Sequence, residues 1–200
     1  MKIRLSVITL LTLATLSVAA QTTKGTISFG GSLGFSSTRE EDDSEDQRRS
    51  TFQFSPSVGF FVMDKLMIGA ALGTSATKTD DGIGDDDVSR SFSFGPFARY
   101  YIFTSNEKFA FFAEAGTSFG GYRNEPDGGN ETKGGFVNVY ASPGFSFFPT
   151  PHWGIDLQFT ALSFTGIDPN KDVDNDRYST FNFGLNSITS SIGIRYFLSR

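Results

Sequence analysis

The sequence has no cysteine, one histidine, one tryptophan and three methionines. Without cysteine there is no disulfide framework, thiolate metal site or redox pair, so a small exported domain must be held by other means. One histidine excludes a histidine pair on a metal, and no glycine-rich phosphate loop is present. Long apolar runs are missing too. The longest lies near the N-terminus and spans about a dozen residues, short of the roughly 20 that a membrane-spanning helix needs. Basic charge is not in excess either, and a net charge of −5 suggests no nucleic-acid partner. What is abundant is Phe, with 23 copies, and Gly, with 22, beside sparse Leu. That balance disfavours helices and favours strands on which small and aromatic residues alternate.

Lys2 and Arg4 precede the apolar stretch 5–16, and Val18-Ala19-Ala20 follows it. A basic start, a short apolar core and small residues at −3 and −1 predict a signal peptide over residues 1–20, cut before Gln21. Residues 21–200 are then one exported domain of about 180 residues.

The segment 191–200 organises the rest. Ile192, Ile194, Tyr196 and Leu198 share one face of a strand; Ser191, Gly193, Arg195 and Phe197 share the other. A chain ending on an exposed amphipathic strand invites edge pairing, unless that strand closes a barrel against the first one. Seven further period-2 segments precede it, at about 26–36, 51–62, 65–77, 89–103, 108–120, 135–148 and 152–164. The eighth begins after Tyr178, with a slip in parity between Leu185 and Ile188. Pro56, Pro96 and Pro143 interrupt good strands and predict bulges.

Connections alternate in length. Short turns follow at 63–65, 104–107 and 149–151, and long charged loops at 38–50, 78–88, 122–134 and 166–178. Ten aromatics border the short turns or the C-terminus: Phe60, Phe61, Tyr100, Tyr101, Phe103, Phe147, Phe148, Trp153, Tyr196 and Phe197. They predict an aromatic girdle at one membrane interface, with Tyr100, Phe103, Trp153 and Tyr196 its leading members. A soluble lipocalin-like barrel would also show eight alternating strands. Its polar face would carry Lys and Glu freely, whereas here that face is mostly Ser, Gly and Thr. These suit a cramped interior. The expectation is an all-β, eight-stranded antiparallel up-and-down transmembrane β-barrel.

The signal peptide, the eight strands, the turn Met63-Asp64-Lys65 and the terminal 193–198 stretch GIRYFL together resemble the small eight-stranded outer-membrane β-barrel proteins of the OmpA, OmpX and OmpW type. The resemblance covers the mature chain, and its motifs are specific as a set. It implies residence in the cell outer membrane of a Gram-negative bacterium, contact with outer-membrane lipid and lipopolysaccharide, and insertion by the barrel assembly machinery. An aromatic last residue is the usual insertion signal in such proteins. Here Phe197 is followed by Leu198-Ser199-Arg200, a departure from that pattern.

Four charges face inward: Arg99, Glu114, Asp156 and Arg195. Counted from the short turns, Arg99, Asp156 and Arg195 lie at similar depth and Glu114 slightly higher, so in a narrow barrel they can pair, either as a plug that fixes register or as a gate whose pairs exchange. The loops are acidic, and Asp172, Asp174 and Asp176 have the alternating spacing of Ca²⁺ ligands but lack the following Gly and distal Glu of an EF-hand. The alternative is a set of solvated carboxylates. His152, between Pro151 and Trp153, reads as an interface anchor rather than a general base, so no catalysis and no cofactor are expected. Three functions remain: a structural or surface-interaction scaffold with acidic extracellular loops and an unspecified surface ligand, a narrow channel for small or hydrophobic solutes, and a lipid-modifying enzyme, which the position of His152 disfavours.

Overall fold

The computed structural model describes residues 21–42, 45–80, 87–126, 131–169, 177–183 and 190–199. The expected signal peptide lies outside them. Apart from a short 3₁₀ turn at Gln21 and Thr22, the regular elements among the described residues are strands. In order these are β1 (Ile27–Asp42), β2 (Glu45–Met63), β3 (Leu66–Asp80), β4 (Asp87–Phe103), β5 (Phe109–Glu125), β6 (Thr132–Thr150), β7 (Trp153–Phe159), β8 (Leu162–Asp168), β9 (Tyr178–Phe183) and β10 (Ser190–Leu198).

Both β7 and β8 pair with β6, as lower and upper halves of one stave. Likewise β10 pairs with β7 and β9 with β8, forming the eighth stave. Every pairing is antiparallel, and β10 returns to β1 with Ile27 opposite Leu198 and Leu33 opposite Ile192. The sheet is therefore a closed eight-stranded barrel, in which the last strand has no free edge along that contact.

Side-chain alternation sorts the wall into two faces. On β4, Phe92, Phe94, Tyr100 and Ile102 are 46–57 % exposed, while Arg99 and Tyr101 between them are at most 3 % exposed. The same contrast recurs on the other long strands, so a belt of Phe, Ile, Leu and Val surrounds the barrel. An apolar belt that extensive suits acyl chains, not water. The membrane is crossed by strands; among the described residues no helix is long and apolar enough to do so.

Three sequence expectations change. The strands run well into the regions read as loops: the first hairpin is ladder as far as Asp42 opposite Glu45. Alternating hydrophobicity fades once both faces meet water, but backbone pairing continues. The prolines also behave differently from one another. Register is constant across Pro56 and Pro96, where only the ladder pairs on one side are lost. Pro143 alone sits at a slip, since Gly144 opposes Gln158 on β7 while Ala141 opposes Leu162 on β8. That one extra residue is a bulge.

The aromatic girdle is the third. Tyr100 and Trp153 face outward, and Tyr196 packs edge-on against Trp153 at 5.1 Å between ring centroids. Phe61, Tyr101, Phe148 and Phe197, however, are fully buried inside the barrel. Phe103 stacks on Phe148 at 5.6 Å rather than joining the belt. Strand parity decides this: adjacent residues such as Tyr100 and Tyr101 must point to opposite faces.

Candidate functional site

The barrel interior is built in layers. Nearest the short turns lies an aromatic layer, with centroid distances of 5.9 Å for Phe61–Tyr101, 5.8 Å for Phe148–Phe197 and 5.9 Å for Tyr101–Phe112. Met67 completes it. Space for the rings comes from inward glycines. A Cβ on Gly144 would fall within the ring of Phe112 opposite, and one on Gly59 would collide with Met67. These positions need glycine for close approach, not for a special backbone angle.

One step further up the strands, the four inward charges meet. Arg99 stands directly opposite Glu114 on the β4–β5 ladder, and its Nε donates to Glu114 Oε2 at 2.8 Å. Its other nitrogens reach Asp156 Oδ2, the Tyr101 hydroxyl oxygen at 3.3 Å and Gln158 Oε1 at 3.2 Å. The guanidinium lies over the Phe112 ring, 4.0 Å from its centroid. Arg195 donates from Nε to Asp156 Oδ2 at 3.3 Å and from Nη1 to the Ser28 hydroxyl at 3.3 Å. Ser146 donates to Asp156 Oδ1 at 2.6 Å. Tyr140 and Gln158 donate to Glu114 Oε1 at 3.2 and 3.0 Å.

All four charged residues are at most 7 % exposed, and their formal charges cancel. Buried charges persist when each is both paired and hydrogen-bonded, and this layer meets both conditions. Their partners Tyr101, Phe112, Tyr140, Ser146 and Gln158 share the inward parity of the strands, but period-2 alternation says nothing of reach. Only the barrel's narrow section brings β4, β5, β7 and β10 into hydrogen-bond range of one another.

Above the charges is a polar cavity of about 260 Å³, lined by residues such as Gln53, Ser55, Thr117 and Asn138. The opposite mouth is crossed by residues 21–26. Gln21 Nε2 donates to Thr150 O at 2.6 Å, while Lys65 N donates to Thr22 O at 2.8 Å, so the segment links two turns. Gln21, Thr22 and Thr26 are buried. Lys65 holds a left-handed φ of 67° in the turn that this segment grips.

The remaining sequence candidates lie apart from the layer. His152 is at the short-turn end, with its ring Nδ1 3.2 Å from Phe197 O and its ring 6.0 Å from that of Tyr196. Asp172, Asp174 and Asp176 lie outside the described residues. Among the described residues no group of three or more His, Asp or Glu could hold a metal ion.

The sequence matches no curated protein. In fold the chain is similar to the N-terminal β-barrel domain of OprF from Pseudomonas aeruginosa, with a TM-score of 0.48 and 11 % identity over 88 % of this chain and 98 % of that one. It is similar to the outer membrane protein OprG from Pseudomonas aeruginosa, with a TM-score of 0.51 and 8 % identity over 90 % and 99 %. It is also similar to Ail, the attachment invasion locus protein of Yersinia pestis, with a TM-score of 0.46 and 13 % identity over 88 % and 100 %. Such identities speak to the fold alone. The profile of one family, described as outer membrane protein beta-barrel domain, matches residues 6–187. Spanning most of the sequence, that match and the closed barrel lead to one conclusion: the chain belongs to the outer membrane protein beta-barrel domain family.

Proposed function

We propose that this barrel is a non-conducting outer-membrane scaffold whose working surface is the end bearing the long connections. One observation carries the reading: the interior is filled across its section by the Arg99–Glu114–Asp156–Arg195 layer and by the aromatic layer beneath it. Water or ions entering the polar cavity from the loop end meet a neutral, fully bonded network. Beyond it lie the rings of Phe61, Tyr101, Phe148 and Phe197, which offer no polar atom to replace a hydration shell except the Tyr101 hydroxyl. In bacterial barrels the short turns face the periplasm and the long loops the exterior, so the cavity opens outward.

The competing reading is a narrow channel for small or hydrophobic solutes, and the cavity above the charges is the observation in its favour. It requires Arg99 to release Glu114 and Asp156 together and the aromatic layer to part. Planar-bilayer recordings separate the two. The scaffold reading expects a silent wild type, and a silent Arg99→Ala/Glu114→Ala double variant too, because the aromatic layer beneath still fills the section. Current steps from the wild type, abolished when the charge layer is altered, overturn it in favour of the channel.

A further inference from the structure

Near the long-loop end, three cations form a row across adjacent strands. Arg90 on β4 is directly opposite Arg123 on β5, and Arg123 is directly opposite Lys133 on β6. All three point outward, sharing parity with the exposed Phe92, Phe94, Phe119 and Val137, and all are exposed themselves. Like charges directly opposed on a ladder repel. Two carboxylates relieve the row in part. Glu125 lies 3.2 Å from Arg90 and 3.8 Å from Arg123, and Glu131 lies 3.3 Å from Arg123 and 2.9 Å from Lys133. Three cations against two anions leave the group one positive charge in excess.

The wall beneath the row is the independent observation. The next outward row toward the short turns is Phe92, Gly121 and Gly135, so on β5 and β6 it is bare backbone. A Cβ on Gly121 would approach only Gly134 O, at 3.4 Å, which leaves the outward side open. Below that comes the apolar row Phe94, Phe119 and Val137. The cations stand four residues above this row, about 13 Å along the strand and about 10 Å along the membrane normal at usual barrel tilts. That height is headgroup depth, where the hydrocarbon has ended.

We propose that Arg90, Arg123 and Lys133 bind the phosphate of a phosphorylated glycolipid in the outer leaflet, with its sugar ring seated over the Gly121–Gly135 notch. Guanidinium groups match phosphate oxygens in pairs, and the lysine adds a third contact. Phosphate takes over the place of Glu125 and Glu131, which hold the cations in line when no lipid is bound. A sugar ring can fill the space over a floor without side chains while its phosphate reaches the cations above it. The inference rests on the outward orientation of the loop end given above.

The test uses the folded full-length barrel in detergent micelles, titrated with bis-phosphorylated lipid A and followed by native mass spectrometry. Heat-modifiable gel mobility confirms folding of each variant. Arg90→Gln with Arg123→Gln and Lys133→Gln should weaken binding roughly a hundredfold, near fivefold per cation. Lys133→Gln alone should cost about fivefold by the same reckoning. Lys24→Gln, at the other end of the barrel, should change nothing. Glu125→Gln with Glu131→Gln should tighten binding severalfold. Dephosphorylated lipid A should bind the wild type as weakly as the intact lipid binds the triple variant. The proposal is overturned by a triple variant within twofold of wild type, by phosphatidylglycerol or inorganic phosphate binding as tightly as lipid A, or by weaker binding in the glutamate variant. A barrel that binds no lipid A yet inserts and stays silent in bilayers sinks this inference alone; a barrel that fails to insert sinks the orientation on which it rests.

Discussion

Replacing Asp156 by Asn probes the interior most directly, because one carboxylate serves two guanidiniums. The substitution keeps the shape and the Ser146 contact but leaves Arg99 and Arg195 converging on a neutral amide. The charge layer then carries one uncompensated positive charge at a site only 4 % exposed. At an effective dielectric of about 20, two unit charges about 4 Å apart interact by about 4 kcal/mol, and stranding one member of a buried pair costs about 3–5 kcal/mol. The polar cavity adjoining the layer can hold water, which screens the remaining charge, so a loss near the lower end, about 3 kcal/mol, is expected. Equilibrium unfolding by guanidinium in lipid vesicles, read by the single Trp153, measures it. Adding Arg195→Met to Asp156→Asn should restore more than half of the loss, because the stranded charge is then removed too. A single variant losing less than about 1 kcal/mol, or a double variant no better than the single, would refute the account of the layer as a mutually dependent set.

Gly144→Ala should cost about 1–3 kcal/mol in the same assay, since a methyl there displaces the Phe112 ring from under Arg99; a neutral result would mean that the aromatic layer is loosely packed. Outside the membrane, the hydrogen bond from Lys133 holds the Glu131 carboxyl below its ordinary range. Lys133→Gln should therefore raise the Glu131 titration midpoint, so that this carboxylate takes up its proton at higher pH than in the wild type. Carboxyl NMR titration in micelles reads this, and an unmoved midpoint would show that the pair does not persist in solution.

The legibility of the chain differs between its parts. The lipid-facing set on β2 to β6 was plain because each strand alternates for a dozen residues or more, and one face is apolar throughout. The inward charges Arg99, Glu114, Asp156 and Arg195 were plain for the same reason, as departures from a face of Ser, Gly and Thr. The aromatics at the short-turn end were misread as a single girdle. There Phe60 and Phe61, Tyr100 and Tyr101, and Phe147 and Phe148 are neighbours in sequence, and composition near a turn does not show which member faces in. The charged stretches beyond the membrane were read as loops because water on both sides of the wall removes the pressure to alternate, although the ladder persists to Asp42 and Glu125.

Local alternation and small inward residues were enough to determine the architecture and, along the long alternating strands, the side of the wall that most residues take. These follow from the two-residue repeat, which any single strand displays. Tertiary structure alone decided which residues touch across the interior and across adjacent strands: Arg195 with Ser28, Arg99 with Asp156, Gln21 with Thr150, and the Arg90–Arg123–Lys133 row. Such contacts depend on strand register and on the barrel's cross-section, and both are properties of the closed sheet that no one strand carries.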